Sequence, residues 1–304
     1  MVERRPLLDL MSHLLLLGGA LCLLAPIWLA FTAASQDLAG VNSGGLNWLP
    51  GPHLWENLQA AWTRGQLGSR FVTSAIVALG VMAGKILVAA LAAYAVVFFQ
   101  WRAKMLVFWL IFVTLMLPLE VRIVPTYAVA ANALRPFQAI LDATGTTGLV
   151  ENLSGIRIAL EWRMLNSYAG LILPLVATAT GTFLYRQFFM TIPEELVEAA
   201  RMDGAGPLRF LRDILLPLSR TNMAALATIM FVYAWNQYLW PLLVTTDPNR
   251  STVMVQLSRM VPRGDSVPDW NVVMAATLIV MLPPLLVVVV MQRWFVRGLV
   301  ATEK

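Results

Sequence analysis

Six residues bring polar chemistry into stretches that are otherwise apolar. Lys85 sits about midway along the apolar run 71–99, where a charge costs about 2.5–3.5 kcal/mol on insertion scales. Such a cation either faces a solvated path or pairs with an acid or with carbonyls of another helix. Glu120 and Arg122 stand between Pro118 and Pro125. Prolines free backbone carbonyls, which membrane depth tolerates only where protein or water satisfies them. The pair therefore reads as a path-lining kink, with an ordinary interfacial break as the alternative. Asn236, Gln237 and Tyr238, flanked by Trp235 and Trp240, offer amides and a phenol for hydroxyls and indoles for C–H faces. The same groups also suit hydrogen bonding between helices.

None of these groups makes a catalytic set. Cys22 is the single cysteine, and its apolar surroundings read as packing. His13 and His53 join no Cys/His cluster, so no metal site is expected. Gly80-Val81-Met82-Ala83-Gly84-Lys85 imitates a phosphate-binding loop, but it has three residues between its glycines instead of four. Ile86 also stands where Ser or Thr belongs, and the run lies inside an apolar span. Gly80 and Gly84 have instead the spacing that lets two helices approach closely. No nucleotide hydrolysis is expected of this chain, nor a cofactor of its own. Thr178, Thr180, Gly181 and Thr182 read as small-residue packing, and Pro283-Pro284 as a kink.

A second chemistry, that of docking, is carried by Thr191 to Pro217. Thr191 and Glu194 have capping-box spacing, with Pro193 expected in the same first turn. Glu194, Glu195 and Glu198 lie toward the positive end of the helix dipole. Ala199 and Ala200 leave a nearly bare backbone for a partner, and Gly204 falls where a helix commonly ends in a left-handed residue. Pro207 can start a second short helix, which Pro217 is expected to end.

These residues need a membrane scaffold. Hydrophobic residues make up 59% of the 304, charged residues only 13%, and the mean hydropathy is +0.70. A soluble domain carries about twice that charge. Six apolar segments, 11–34, 71–99, 105–130, 167–190, 219–245 and 272–295, are long enough to cross a hydrocarbon core of about 30 Å. The expected fold is all-α, a polytopic membrane protein with six transmembrane helices in one domain. The first segment follows Arg4 and Arg5 and is too long for a signal h-region, so it reads as an uncleaved first helix.

The net charge of +5 is distributed by topology and does not suggest nucleic acid. Arg102, Lys104, Arg186, Arg201, Arg209, Arg212, Arg220, Arg293, Arg297 and Lys304 join Arg4 and Arg5 on one side, and the longer loops opposite hold arginines but no lysine. That is the positive-inside pattern, with both termini and the docking stretch in the cytoplasm. The outer loop 35–70 should be ordered, with Trp48 and Trp55 as interface anchors. Ala139 to Leu165 should be a polar excursion containing a helix from Leu149 to Met164.

Glu198-Ala199-Ala200, three residues, Gly204, nine residues, Ile214, one residue, Leu216-Pro217 resembles the EAA loop of membrane subunits of bacterial ABC importers of the binding-protein-dependent sugar type. In that family the loop is a coupling helix seated in a groove of the ATPase. The resemblance assigns this role to Glu198, Ala199, Ala200, Asp203 and Gly204, and it runs from the first span to the C-terminus. Thr114 to Ile123, Tyr233 to Leu243 and Met291 to Val300 are most similar to the second membrane subunit of glycerol-3-phosphate importers. Maltose-type permeases share the architecture.

The resemblance implies a type I importer permease in the bacterial inner membrane. Its expected partners are a paralogous permease subunit, a cytosolic ATPase dimer that binds the ATP and magnesium, an extracytoplasmic substrate-binding protein, and lipid. The implied cargo is sn-glycerol-3-phosphate or a related phosphodiester or polyol phosphate; a neutral sugar or oligosaccharide is the alternative. A secondary transporter would need more ionisable residues along its spans than Lys85. The chain departs from the family at about 136–164, which reads as an outer-loop insertion.

Overall fold

The computed structural model describes residues 6–42, 48–156, 159–177, 179–261 and 269–300. Expectations placed on Arg4, Arg5, Ser43 to Gly45, Arg157, Thr178 and Lys304 lie outside these residues. Among the described residues every regular element is helical, as expected of an all-α chain.

The first expected span is α1 (Pro6–Ser35). The stretch 35–70, expected to be an ordered outer loop, holds two helices, α2 (Leu38–Asn42) and α3 (Leu54–Arg64). The second span is α4 (Leu67–Phe98). The third divides into α5 (Lys104–Met116) and α6 (Leu119–Ala131). Leu117 between them is extended, at φ −62°, ψ 131°, because a residue before proline avoids the helical region.

The excursion that follows holds α7 (Arg135–Ala143) and α8 (Thr146–Ser154). The helix expected over Leu149 to Met164 stops ten residues early on that count, since α8 ends at Ser154. Gly155 closes it in the left-handed region at φ +68°. The return strand is irregular, and its backbone groups are satisfied by the α6–α7 junction. The Met164 amide donates to the Ala130 carbonyl (2.9 Å) and the Ala133 amide to the Trp162 carbonyl (3.0 Å). The Leu160 amide donates to Gln138 Oε1 (2.8 Å). Tertiary partners thus replace the helical ladder.

The fourth span divides into α9 (Tyr168–Val176) and α10 (Ala179–Phe189). Then come α11 (Glu194–Met202) and α12 (Pro207–Phe210), a π turn at Leu211–Leu215, and α13 (Leu216–Leu218). The fifth span is α14 (Arg220–Trp235) followed by α15 (Leu239–Val244). A 3-10 turn at Pro248–Arg250 and α16 (Val253–Met260) precede α17 (Trp270–Val300). That last helix contains Pro283-Pro284, the site of the expected kink, within its range.

By length and composition, Leu7–Ser35, Leu67–Phe98 and Trp270–Gln292 can each cross a membrane. The count rises to five if each of two bent helix pairs is one crossing.

The chain forms two compact units, Met1–Arg70 with Gln256–Pro283, and Phe71–Val255 with Pro284–Lys304. In the first, Asn57 on α3 donates to the Ala34 and Gln36 carbonyls at 2.8 and 2.7 Å. Those carbonyls lie at the frayed end of α1, and Asn57 also accepts from Asn271 Nδ2 at 2.9 Å. One buried amide thereby ties three segments. In the second unit, the alanine stripe Ala89, Ala90 and Ala93 on α4 lets Tyr185, Phe189, Phe210 and Leu215 pack close.

The two glycines of α4 do what their spacing suggested. A Cβ on Gly80 would stand 2.7 Å from Ile172 Cδ1, and one on Gly84 2.6 Å from Val176 Cγ2. α9 therefore lies against α4 at a distance only glycine allows.

Candidate functional site

Three helix breaks in the second unit meet at one place. Leu117-Pro118 between α5 and α6, Ala177 between α9 and α10, and Asn236 to Tyr238 between α14 and α15 all line a cavity of about 580 Å³. Non-helical backbone at membrane depth is tolerated where it lines a water-filled cavity. The break in α14–α15 leaves carbonyls and amides without helical partners, and part of the repair is local: Gln237 Nε2 donates to the Tyr233 carbonyl at 3.3 Å.

All six residues expected on a path lie on this cavity: Lys85, Glu120, Arg122, Asn236, Gln237 and Tyr238. α4 brings Lys85, α6 brings Glu120 and Arg122 from its first turn, and the α14–α15 break brings the other three. Lys85 is 6% exposed. Among the described residues, neither of the expected structural partners, an acid or a carbonyl, holds it. Its Nζ lies 4.3 Å from the centroid of the Tyr233 ring, within the range of a cation–π contact. Arg122 Nε is buried with no hydrogen-bond partner among the described residues.

Two expectations about the lining are corrected. The indoles do not ring the cavity. Trp240 is fully buried and its Nε1 donates to the Gly170 carbonyl at 3.0 Å. Pro174, four residues on, has no N–H to give that carbonyl, so Trp240 repairs the ladder of α9. Trp235 is 3% exposed and stacks on Phe231. Thr180, expected in helix packing, lines the cavity instead, while Thr182 and Gly181 are buried. Tyr233 was quoted only as part of a similar run. No sequence spacing joins residues 85 and 233, so nothing local could have paired them.

The docking stretch also takes shape. Thr191 does not cap α11: its hydroxyl donates back to the Phe188 carbonyl at 2.7 Å, and Pro193 is the N-cap residue, with no side-chain cap. The capping-box expectation is therefore wrong, because the turn after α10 claims the hydroxyl first. Glu194 and Glu195 occupy the first turn of α11, where the dipole favours them. The C-terminus follows the expected geometry. Gly204 has φ +69°, its amide donates to the Arg201 carbonyl (3.0 Å), and the Ala205 amide donates to the Ala200 carbonyl (2.9 Å). That pair of bonds is a Schellman motif.

Ala200 is not offered to a partner. It is 4% exposed and packs in this chain's core with Tyr94, Phe210 and Leu211. Glu198, Ala199 and Asp203 are exposed. Pro207 starts α12, but Pro217 does not end the helical run, which continues to Leu218. A π turn precedes that proline, with the Leu216 amide donating to the Leu211 carbonyl. The wider turn accommodates a proline ring that would clash with a regular helix. α13 and α14 then meet at a 77° bend. The stretch is held by the Tyr94 hydroxyl, which donates to the Pro207 carbonyl at 2.9 Å.

A polar-lined cavity bounded by broken apolar helices, in a chain that also carries an exposed amphipathic helix, is the architecture of a membrane transport component. The family model described as binding-protein-dependent transport system inner membrane component matches residues 85–300. The chain belongs to this family. It is a membrane permease component, and the family has no catalytic role of its own.

The chain is similar over its full length, and theirs, to curated relatives. These include the sn-glycerol-3-phosphate transport system permease protein UgpE of Pectobacterium atrosepticum, 48% identical over 310 residues. The proteins of the same name from Yersinia pestis and Brucella abortus are 46% and 45% identical. Among solved structures it resembles a bacterial ABC transporter involved in the import of the acidic polysaccharide alginate. That match has a TM-score of 0.72 and 19% identity, and covers 97% of this chain and 99% of that one. It speaks to the fold alone.

Proposed function

We propose that this chain is one membrane subunit of an ATP-driven importer of sn-glycerol-3-phosphate or a related polyol phosphate. The observation that carries the reading is the identity of 45–48% to relatives of that name, sustained over whole chains. The six cavity residues are then part of the path of the cargo.

Six crossings follow from length. α5 and α6 have 13 residues each, about 20 Å apiece at 1.5 Å per residue, so neither spans a core of about 30 Å alone. Joined at Leu117-Pro118 they reach across, and the same holds for α9 with α10 and for α14 with α15. Both termini then lie in the cytoplasm, together with α11. Exposed Glu198, Ala199 and Asp203 face the groove of an ATPase dimer that binds ATP and magnesium. Buried Ala200 and left-handed Gly204 fix the helix on this chain. A paralogous permease completes the path, and an extracytoplasmic binding protein delivers the cargo.

Reconstitution with these partners in liposomes tests the reading. Uptake of sn-glycerol-3-phosphate should require both ATP and the binding protein. Uptake driven by an ion gradient without ATP would instead make the chain a secondary transporter, and uptake restricted to a neutral sugar would reassign the cargo.

A further inference from the structure

The cavity is chemically two-sided. On one side stand Lys85 and Arg122, whose guanidinium repels the Lys85 ammonium. Neither forms an ion pair among the described residues. Glu120 lines the cavity too, so the lining carries two cations against one carboxylate. Two like charges therefore converge on one space, and one buried N–H, Arg122 Nε, has no acceptor. A buried donor without a partner is costly; an anion entering the cavity would relieve both the repulsion and the missing bond. On the other side stand Asn236, Gln237 and Tyr238, with two amides and a phenol that can both donate and accept.

We infer that this cavity is a transient binding site for a phosphate monoester, held at its phosphate by Lys85 and Arg122 and at its hydroxyls by Asn236, Gln237 and Tyr238. The inference rests on the chain being a polyol-phosphate importer subunit and adds where, and by which groups, this chain selects its cargo. A phosphate monoester near neutral pH carries a charge of about −1.5 to −2, which matches two cations better than a single carboxylate does. Arginine meets it as a planar fork and lysine as a point charge. Tyr233 is a positioning residue: its ring face holds the ammonium at 4.3 Å, and both residues line the cavity. An acid in that place would have cancelled the site. The volume of about 580 Å³ lies within the range of small-molecule sites and leaves room for water around a three-carbon ester. Binding in such a wet site is loose, which suits a stop along a path.

The test uses the complete importer in liposomes, with uptake of sn-glycerol-3-phosphate as readout and co-purification and thermal melting as controls. If the wild-type complex does not import it, the cargo reading fails, and the site falls with it. With wild-type import established, Lys85→Met and Arg122→Gln should each lower uptake by about tenfold or more, the scale of a lost bond to a charged group. Tyr233→Leu should fall in the same direction, while Tyr233→Phe, which keeps the ring face, should stay near wild type. A purely structural Tyr233 would lose uptake in Tyr233→Leu only together with a lower melting temperature, whereas a positioning role loses uptake with melting unchanged. Wild-type uptake by an assembled Lys85→Met or Arg122→Gln complex overturns the site. Should Lys85→Met fail to assemble, Arg122→Gln decides alone, with tenfold loss supporting the site and unchanged uptake refuting it.

Discussion

Gly204 shows how much can rest on one residue. A Cβ there would meet nothing within 4 Å, so a side chain costs only what its backbone conformation costs. Holding a β-branched residue at φ +69° stores about 1–3 kcal/mol, which the loop can shed by turning α11. Gly204→Val should therefore insert and assemble yet lose cargo-stimulated ATP turnover. Gly204→Asn should keep most of it, because asparagine tolerates the left-handed region. Measuring ATPase stimulation on both variants checks this; a valine variant with normal coupling would separate α11 geometry from coupling. The need for glycine at 204 was readable because it is local, a matter of one φ angle. The burial of Ala200 was not. Which side of α11 turns inward depends on Tyr94 and Phe210, residues distant in the chain, and alanine is at home on either side. Thr191 misled for a related reason: its hydroxyl had two partners in reach, an amide ahead of it and the Phe188 carbonyl behind it, and spacing reveals only one of them.

At the scale of elements, the contact of α4 with α9 connects packing to the cavity. Gly84 faces Val176 at the last residue of α9, and Ala177, the next residue, lines the cavity. Gly84→Val would force these backbones apart, at about 1–3 kcal/mol for an overpacked contact, and move the cavity wall with them. The expected result is a lower melting temperature and slower uptake, both recovered in part by adding Val176→Ala. Recovery of neither would show that the two helices are not coupled through this contact. The long apolar helices were legible, since apolar length alone marks a span, whereas the short helices α2, α3 and α7 carry no such signal. Breaks were legible only where a proline stands at the break, as at Pro118. Pro174 lies inside α9 and the chain breaks after Val176, while Asn236 to Tyr238 interrupt a span with no proline among them. There the cavity, a tertiary feature, supplies the solvation that makes the break possible.

Across the whole chain, the distribution of exposed apolar surface argues for what surrounds it. Leu14, Leu15, Leu16 and Leu17 are 59–79% exposed, and four consecutive residues of a helix point to all sides of it. α1 is thus uncovered by its own chain around a full turn and must meet lipid or partner chains. Two of the stretches where polar and charged positions gather are the excursion of α7 and α8 and the run from α11 to α13. The six crossings proposed above would put these on opposite faces of the membrane, the excursion outside and α11 inside. The single cysteine makes this testable, because Cys22→Ser leaves a thiol-free background. Leu153 on α8 is 87% exposed and Met202 on α11 is 83% exposed, so a cysteine at either is open to reagent without disturbing a core. In intact cells or sealed spheroplasts, an impermeant maleimide should label Leu153→Cys directly and Met202→Cys only after the membrane is opened. The difference comes from topology alone, since the two sites are equally accessible within the chain. Labelling of Met202→Cys from outside would invert the orientation and place α11 beyond the reach of any cytosolic ATPase. Labelling of both from one side would require an odd number of crossings to be lost between residues 153 and 202, and α9 with α10 would then be a re-entrant pair instead of a span.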